Sequence, residues 1–235
     1  MAKAKQHAVV SQAEWLEARK ELLVKEKKFT RARDKLNKQR RGLPWVKVDQ
    51  KYTFAGSSGR VSLKELFAGR HQLIVYHFMF DPEWTEGCPS CSFWADNFND
   101  VIVHINHRDA SFVAISRAPI SVIEAFKKRM GWSFTWVSSG ATDFNFDYGV
   151  SFRPEELAKG KARYNYATQE PGGADREGVS VFYLDDEGGI FHTYSAYSRG
   201  IDLLNTAYNY IDLLPKGRDE KGEGQAWVRY HDKYD

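Results

Sequence analysis

Apolar positions recur at sevenfold spacing near the start of the chain, where Trp15, Leu22, Phe29 and Leu36, accompanied by Ala18 and Ala32, form one stripe among charged residues. That period predicts a single amphipathic helix from about Ser11 to Arg40. Ser11 is its expected cap, Glu14 completes a capping box three residues later, and Gly42 and Pro44 end the helix. Such a stripe needs cover, so the helix is expected to lie on its own domain or to pair with a second copy as a homodimer. WVKVDQKYTF then reads as extended chain, with a turn from Gly56 to Gly59.

The pattern changes in the body of the chain. VSLKELF fits one or two helical turns, and QLIVYHFMF is a nearly continuous apolar run rich in β-branched and aromatic residues, as expected of a strand buried on both faces. Trp94, Phe98, Val101 and Ile102 predict a helix beginning near Cys88 and Cys91, and ASFVAIS supplies a second strand. Strand, helix, strand implies a right-handed crossover and a parallel pair. A helix at SVIEAFKKRMG, a strand at FTWVS and a short helix at RPEELAKG follow. VSVFYLD and GIFHTYS flank the turn residues Asp185 to Gly189 and read as a hairpin. Ile201, Leu204, Ala207, Tyr208 and Ile211 line one side of a closing helix, and the apolar-poor tail from Pro215 onward reads as extended and loosely held. The chain is thus α/β, with no internal repeat.

Composition narrows the setting. With 235 residues, 42% of them hydrophobic, there is material for one substantial core. No apolar run approaches the roughly 18 residues of a membrane span, and MAKAKQHAVVSQAEW lacks a secretory leader, so a cytoplasmic protein without membrane contact is expected. Residues 1–51 carry 15 Lys or Arg against 6 Asp or Glu, while the remainder carries 19 against 25. The basic arm has few aromatic stacking residues and no finger, basic-zipper or RNA-recognition signature, so nucleic acid is not the expected partner.

Two cysteines make no disulfide scaffold and need their own explanation. In C88-P-S-C91, at a strand-to-helix junction, the first cysteine meets unpaired N–H groups and the helix dipole, which favour a thiolate there. Cys88 would then attack a disulfide and Cys91 resolve the mixed intermediate. Burial as inert structural cysteines is the plain alternative. Zinc is a second: Cys88, Cys91, His104 and His107 have the spacing C-x2-C-x12-H-x2-H, one short of the usual finger range and followed by a helix rather than a hairpin. Peroxide reduction is a third, with the Thr85 hydroxyl near Cys88, a sulfenic acid condensing with Cys91, and a cation drawn from Arg117, Arg153, Arg163 or Arg176.

Weaker leads surround the pair. His77, two positions before Met79, lies on the same side as Met79 in a regular strand and would tune the thiolate; a hydrogen-bonded core histidine is the competing role, and the same holds for His192. Asp81, Glu83 and Glu86 crowd the approach and would raise a thiol pKa if they pointed at it. Trp84 is a candidate for the rim of an apolar docking groove, and Trp94 for the core. Phe144, Phe146 and Tyr148 would form a lip. No nucleotide or flavin fingerprint is present, so no cofactor is expected and any reducing equivalents come from a separate reductase. The expected substrate is a protein or low-molecular-weight thiol or disulfide.

The segments EWLEARKELLVKEKKFTRARDKL, RRGLPWVKV, LIVYHFMFDPEWTEGCPSCSFWADNF, KKRMGWSFTWVSS, DFNFDYGVSF and VFYLDDEGGIFHTYS, spread over roughly residues 10–220, resemble the bacterial domain-of-unknown-function 899 family, a thioredoxin-like family. The resemblance implies a thioredoxin-like mixed sheet flanked by helices. The chain is read as a basic N-terminal helical extension (1–50), a thioredoxin-like domain (51–214) and a C-terminal tail (215–235). The resemblance also implies the attacking role for Cys88 and the resolving role for Cys91. The sequence departs from the superfamily where a cis-proline normally faces the dithiol, for Val179 and Ser180 stand there and a trans bond is the default. It departs from the peroxiredoxin pattern too: the interval from Pro82 to Thr85 is one residue short, and Val179 stands where an arginine is expected.

Overall fold

The computed structural model describes residues 7–234. Ser11 caps helix α1 (Gln12–Arg41) as the local pattern requires: its side chain accepts from the Glu14 N–H, and the Glu14 carboxylate accepts from the Ser11 N–H at 2.9 Å. None of the helix's residues is buried, and Trp15, Leu22, Phe29 and Leu36 are exposed. Packing of the stripe on its own chain is therefore not found. The helix is stabilised instead along its charged surface, by pairs such as Lys20 with Glu17 and Arg19 with Glu26. It meets the body near its C-terminal end, where the Arg40 guanidinium lies 4.8 Å from the Tyr194 ring.

After α1 come strands β1 (Val46–Lys47), β2 (Thr53–Gly56) and β3 (Gly59–Ser62), a 3-10 turn at Glu65–Phe67, and β4 (Gln72–His77). Helices α2 (Pro89–Phe98) and α3 (Ile102–Asn106) lead to β5 (Ala110–Ser116), α4 (Ile120–Arg129) and β6 (Thr135–Ser138). Short helices α5 (Phe144–Asp147) and α6 (Pro154–Ala158) and the small pair β7 (Ala162–Tyr164) and β8 (Ala167–Gln169) precede the long hairpin β9 (Gly178–Leu184) and β10 (Ile190–Tyr197). A 3-10 segment, Ser198–Leu204, and helix α7 (Thr206–Ile211) follow.

The main sheet has the order β1-β10-β9-β4-β5-β6-β2-β3. β4 and β5 run parallel, with Gln72 opposite Ala110 and His77 opposite Ile115, while β9 lies antiparallel to β4 on its other side and pairs with β10. This inner quartet, with α2 crossing between its parallel strands, is the thioredoxin-like arrangement, and the α/β expectation holds. Alternation along β4 divides the core. Tyr76 and, just beyond it, Phe78 join Trp94, Phe98, Ile123 and Phe126 under α2 and α4. Leu73 and Val75 join Phe54, Phe144 and Phe182 on the opposite face.

Three expectations need correction. The helix after the cysteines is two helices, α2 and α3. The closing helix is broken at Asn205, which has extended dihedrals (φ −101°, ψ 95°) and accepts from the Tyr208 N–H at 3.0 Å to cap α7. The tail is not loosely held: Val228 and Tyr230 are buried, Trp227 packs edge-on to Phe93, and Asp232 pairs with Arg129 at 2.8 Å. It is held by single seats of this kind rather than by a periodic apolar face. Among the described residues no helix is long and apolar enough to cross a membrane.

Candidate functional site

The site begins where β4 runs out. The Cys88 N–H donates back to the Met79 carbonyl at 3.0 Å, turning residues 80–87 into a loop that starts α2 beside the strand's end. Gly87 makes this approach possible, because a Cβ there would fall 2.7 Å from Phe78 Cε1 and 2.9 Å from Phe126 Cε1. Cys88 occupies the N-cap with extended dihedrals (φ −54°, ψ 129°), and its carbonyl accepts from the Ser92 N–H at 2.9 Å. Pro89 suits the first helical position, where its missing N–H would have had no intrahelical acceptor.

The two thiols are free and unequal: Cys88 is half-buried and Cys91 fully buried. The Cys91 thiol, directed at the Cys88 sulfur, is the main cause lowering the Cys88 pKa to about 7; burial opposes it, and the Cys91 and Ser90 N–H groups add to it. Burial pushes the Cys91 thiol well up, and the Cys88 sulfur adds to this. The Met79 N–H donates to Cys91 Sγ at 3.4 Å, fixing the inner sulfur against the strand. The Glu177 carboxylate works against ionisation of both thiols.

Cys88 opens into a cavity of about 440 Å³ whose lining includes Tyr76, Met79, Trp94, Arg176 and Glu177, together with Arg218, Glu220 and Gln225 of the C-terminal segment. The Tyr76 hydroxyl is buried with no oxygen or nitrogen partner, and the neighbouring Cys91 sulfur, after burial itself, holds this phenol protonated. Arg176 lies 5.0 Å from the Tyr164 ring centroid and, among the described residues, pairs with no carboxylate. Arg117 is a clasp outside the cavity. It reaches Asp81, at the start of the cysteine loop, at 2.6 Å and Asp175, just before β9, at 2.7 Å.

Several sequence candidates lie elsewhere. Trp84 and Thr85 are exposed on the loop and do not line the cavity. His77 points to the opposite sheet face, where Nε2 bonds Ser180 Oγ at 2.8 Å and the ring packs on Phe144 and Tyr148. The strand ends at His77, so its alternation does not extend to Met79. Ser180 likewise faces away, towards Ser195, while Val179 is packed in the core beneath α2. The peptide bonds here are trans. Phe144 and Tyr148 belong to the far face and form no lip around Cys88. Asp81 and Glu86 are turned to Arg117, and to Arg129 and Lys233, rather than to the sulfur.

The zinc constellation is not assembled. α2 carries the chain away from the cysteines, leaving His104 and His107 exposed on and just after α3, and no group of three or more metal-ligating side chains converges among the described residues. β9 begins at Gly178, and Arg176 stands two residues before it in the cavity wall. The sequence offers Arg176 with no local reason to choose it, and carries no signal that Tyr76 and Glu177 share the cavity wall.

The family described as bacterial protein of unknown function (DUF899) matches residues 4–234. No curated relative matches. Solved structures similar to the chain include a Xanthomonas campestris bacterioferritin comigratory protein (13% identity, 66% of this chain and 86% of that one, TM-score 0.45) and a Mycobacterium tuberculosis peroxidoxin (14%, 72% and 97%, TM-score 0.46). A mitochondrial 2-Cys peroxiredoxin of Plasmodium falciparum is similar at 16% identity, over 72% of this chain and 92% of that one, with a TM-score of 0.40.

Proposed function

The chain belongs to the bacterial DUF899 family, and we propose that it is a thiol-disulfide oxidoreductase in which Cys88 attacks and Cys91 resolves. The observation that carries this is the asymmetry of the pair: an accessible sulfur at a helix N-cap with its pKa lowered to about 7, backed by a buried sulfur with its pKa raised. Near neutral pH the outer group is substantially thiolate, the reactive form, while the inner group stays a protonated donor. Once Cys88 has spent its charge in a mixed disulfide, the Cys91 proton loses its acceptor, and loss of that proton frees the second nucleophile. Electrons return from a separate thiol or reductase.

A second reading, peroxide reduction, is favoured by Arg176, a cation in the wall of the cavity that Cys88 lines. In that chemistry the Cys88 thiolate takes the terminal peroxide oxygen, the O–O bond breaks to release an alcohol or water, and the sulfenic acid condenses with the Cys91 thiol with loss of water. The exposed Thr85 contributes nothing to it from its present place. Intact-mass measurement across a dithiothreitol series, with alkylation after denaturation, tests the shared premise. A reversible two-proton loss that makes both cysteines unreactive is expected, and failure to form the disulfide returns the fold to a non-catalytic binding role. Peroxide consumption by the reduced protein separates the two chemistries.

A further inference from the structure

Cys88 lines a cavity, and part of its wall is built by the end of the chain, which also packs on α2. Arg218, Glu220 and Gln225 line it, Trp227 packs on Phe93, and the Tyr230 hydroxyl donates to the Gly87 carbonyl at 2.7 Å, directly beside Cys88. The segment is fastened further on, by His231 to Asp96 at 2.7 Å and by Asp232 to Arg129. These anchors hold the segment in the wall of the cavity that Cys88 lines. The cavity volume, about 440 Å³, lies within the range of small-molecule sites.

The charges around the cavity are not equally committed. Asp202 is held by Arg199 and Arg218 at 2.9 and 3.3 Å, Glu220 accepts from the Tyr208 hydroxyl at 2.7 Å, and Glu177 accepts from the Tyr164 hydroxyl at 3.3 Å. Arg176 differs: its guanidinium has no carboxylate partner among the described residues, and its Nε is buried without an acceptor. A planar fork left unpaired in a cavity wall suits a carboxylate supplied by a ligand.

Building on the dithiol reading, we propose that the substrate is a low-molecular-weight disulfide carrying carboxylates, bound through Arg176, and that the C-terminal strap excludes protein disulfides. The Cys88 thiolate attacks one sulfur of the substrate; its S–S bond breaks, one thiolate leaves and takes a proton, and a mixed disulfide forms at Cys88. Cys91, losing its proton, attacks Cys88 Sγ and expels the second thiolate. The substrate gains two electrons and two protons as two thiols, and the protein dithiol becomes a disulfide.

Single-turnover reduction of dithiodipropionate and of hydroxyethyl disulfide, similar in length and differing in charge, tests this on the full chain, with insulin as the protein disulfide. The wild type is expected to prefer the charged disulfide by about tenfold, the order of one charge-assisted hydrogen bond. Arg176→Gln is expected to abolish that preference by weakening the apparent affinity for the charged disulfide, Arg176→Lys to restore part of it, and insulin to stay oxidised. Equal handling of the two small disulfides, an equal loss on both in Arg176→Gln, or insulin reduction at a comparable rate overturns the proposal. Absence of reaction with every disulfide overturns the dithiol reading beneath it.

Discussion

The Tyr230 hydroxyl donates to the Gly87 carbonyl across 2.7 Å and 143 positions of sequence, tying the end of the chain to the residue before the outer cysteine. Because both partners are buried, Tyr230→Phe leaves the Gly87 carbonyl without its donor and is expected to cost about 1–3 kcal/mol. Urea unfolding measures the loss, and faster alkylation of Cys88 is expected to accompany it as the strap loosens.

Gly87→Ala probes the same junction from the other side. The added Cβ meets two aromatic rings at 2.7 and 2.9 Å, and overpacking of this kind costs about 1–3 kcal/mol. A lower thermal midpoint is expected, with a Cys88 thiol pKa shifted as the N-cap moves.

Removing the Arg117 clasp is expected to be more damaging. Arg117→Ala leaves the buried Asp175 carboxylate with the Ser151 hydroxyl alone, and an unpaired buried charge of this kind costs about 3–5 kcal/mol. Denaturant titration measures it. Arg117→Ala with Asp175→Asn is expected to recover part of the loss, because the stranded charge is gone.

His77 sets an acid limit. Burial, assisted by His192, lowers its pKa from 6.5 to about 3, so between those values the unfolded chain binds a proton that the folded chain refuses. Its contribution therefore weakens as the pH falls through that window, by up to about 1.4 kcal/mol per pH unit. His77→Phe, which leaves Ser180 its Ser195 partner, is expected to show a shallower decline of the urea midpoint between about pH 7 and pH 4; equal slopes would contradict the assignment.

What was legible in the sequence was local. The capping box joins residues three apart, the C-P-S-C pair announces itself at a strand end, and the hairpin turn carries its own residues. What was not legible depends on distant partners. Gly178 carries no strand signal, yet it opens β9, because a Cβ there would strike the Tyr197 ring at 2.7 Å. With the strand's start unmarked, nothing local places Arg176 and Glu177 at the site. The tail misled for a related reason: hydrophobic periodicity does not register a segment held by single aromatic seats and ion pairs, such as Tyr230 on Gly87 and Asp232 on Arg129. The stripe on α1 shows the reverse case, a clear periodicity with no cover from its own chain.

The central claim is a division of labour between two sulfurs, and trapping the mixed disulfide tests it most directly. Reduced Cys91→Ser and Cys88→Ser proteins are each exposed near neutral pH to a small disulfide and followed by intact mass. The account predicts that Cys91→Ser accumulates one stable adduct, mapped to Cys88, whereas Cys88→Ser, whose remaining thiol is buried with a raised pKa, reacts far more slowly. Equal labelling of the two variants, or adduct formation on Cys91 alone, would contradict it.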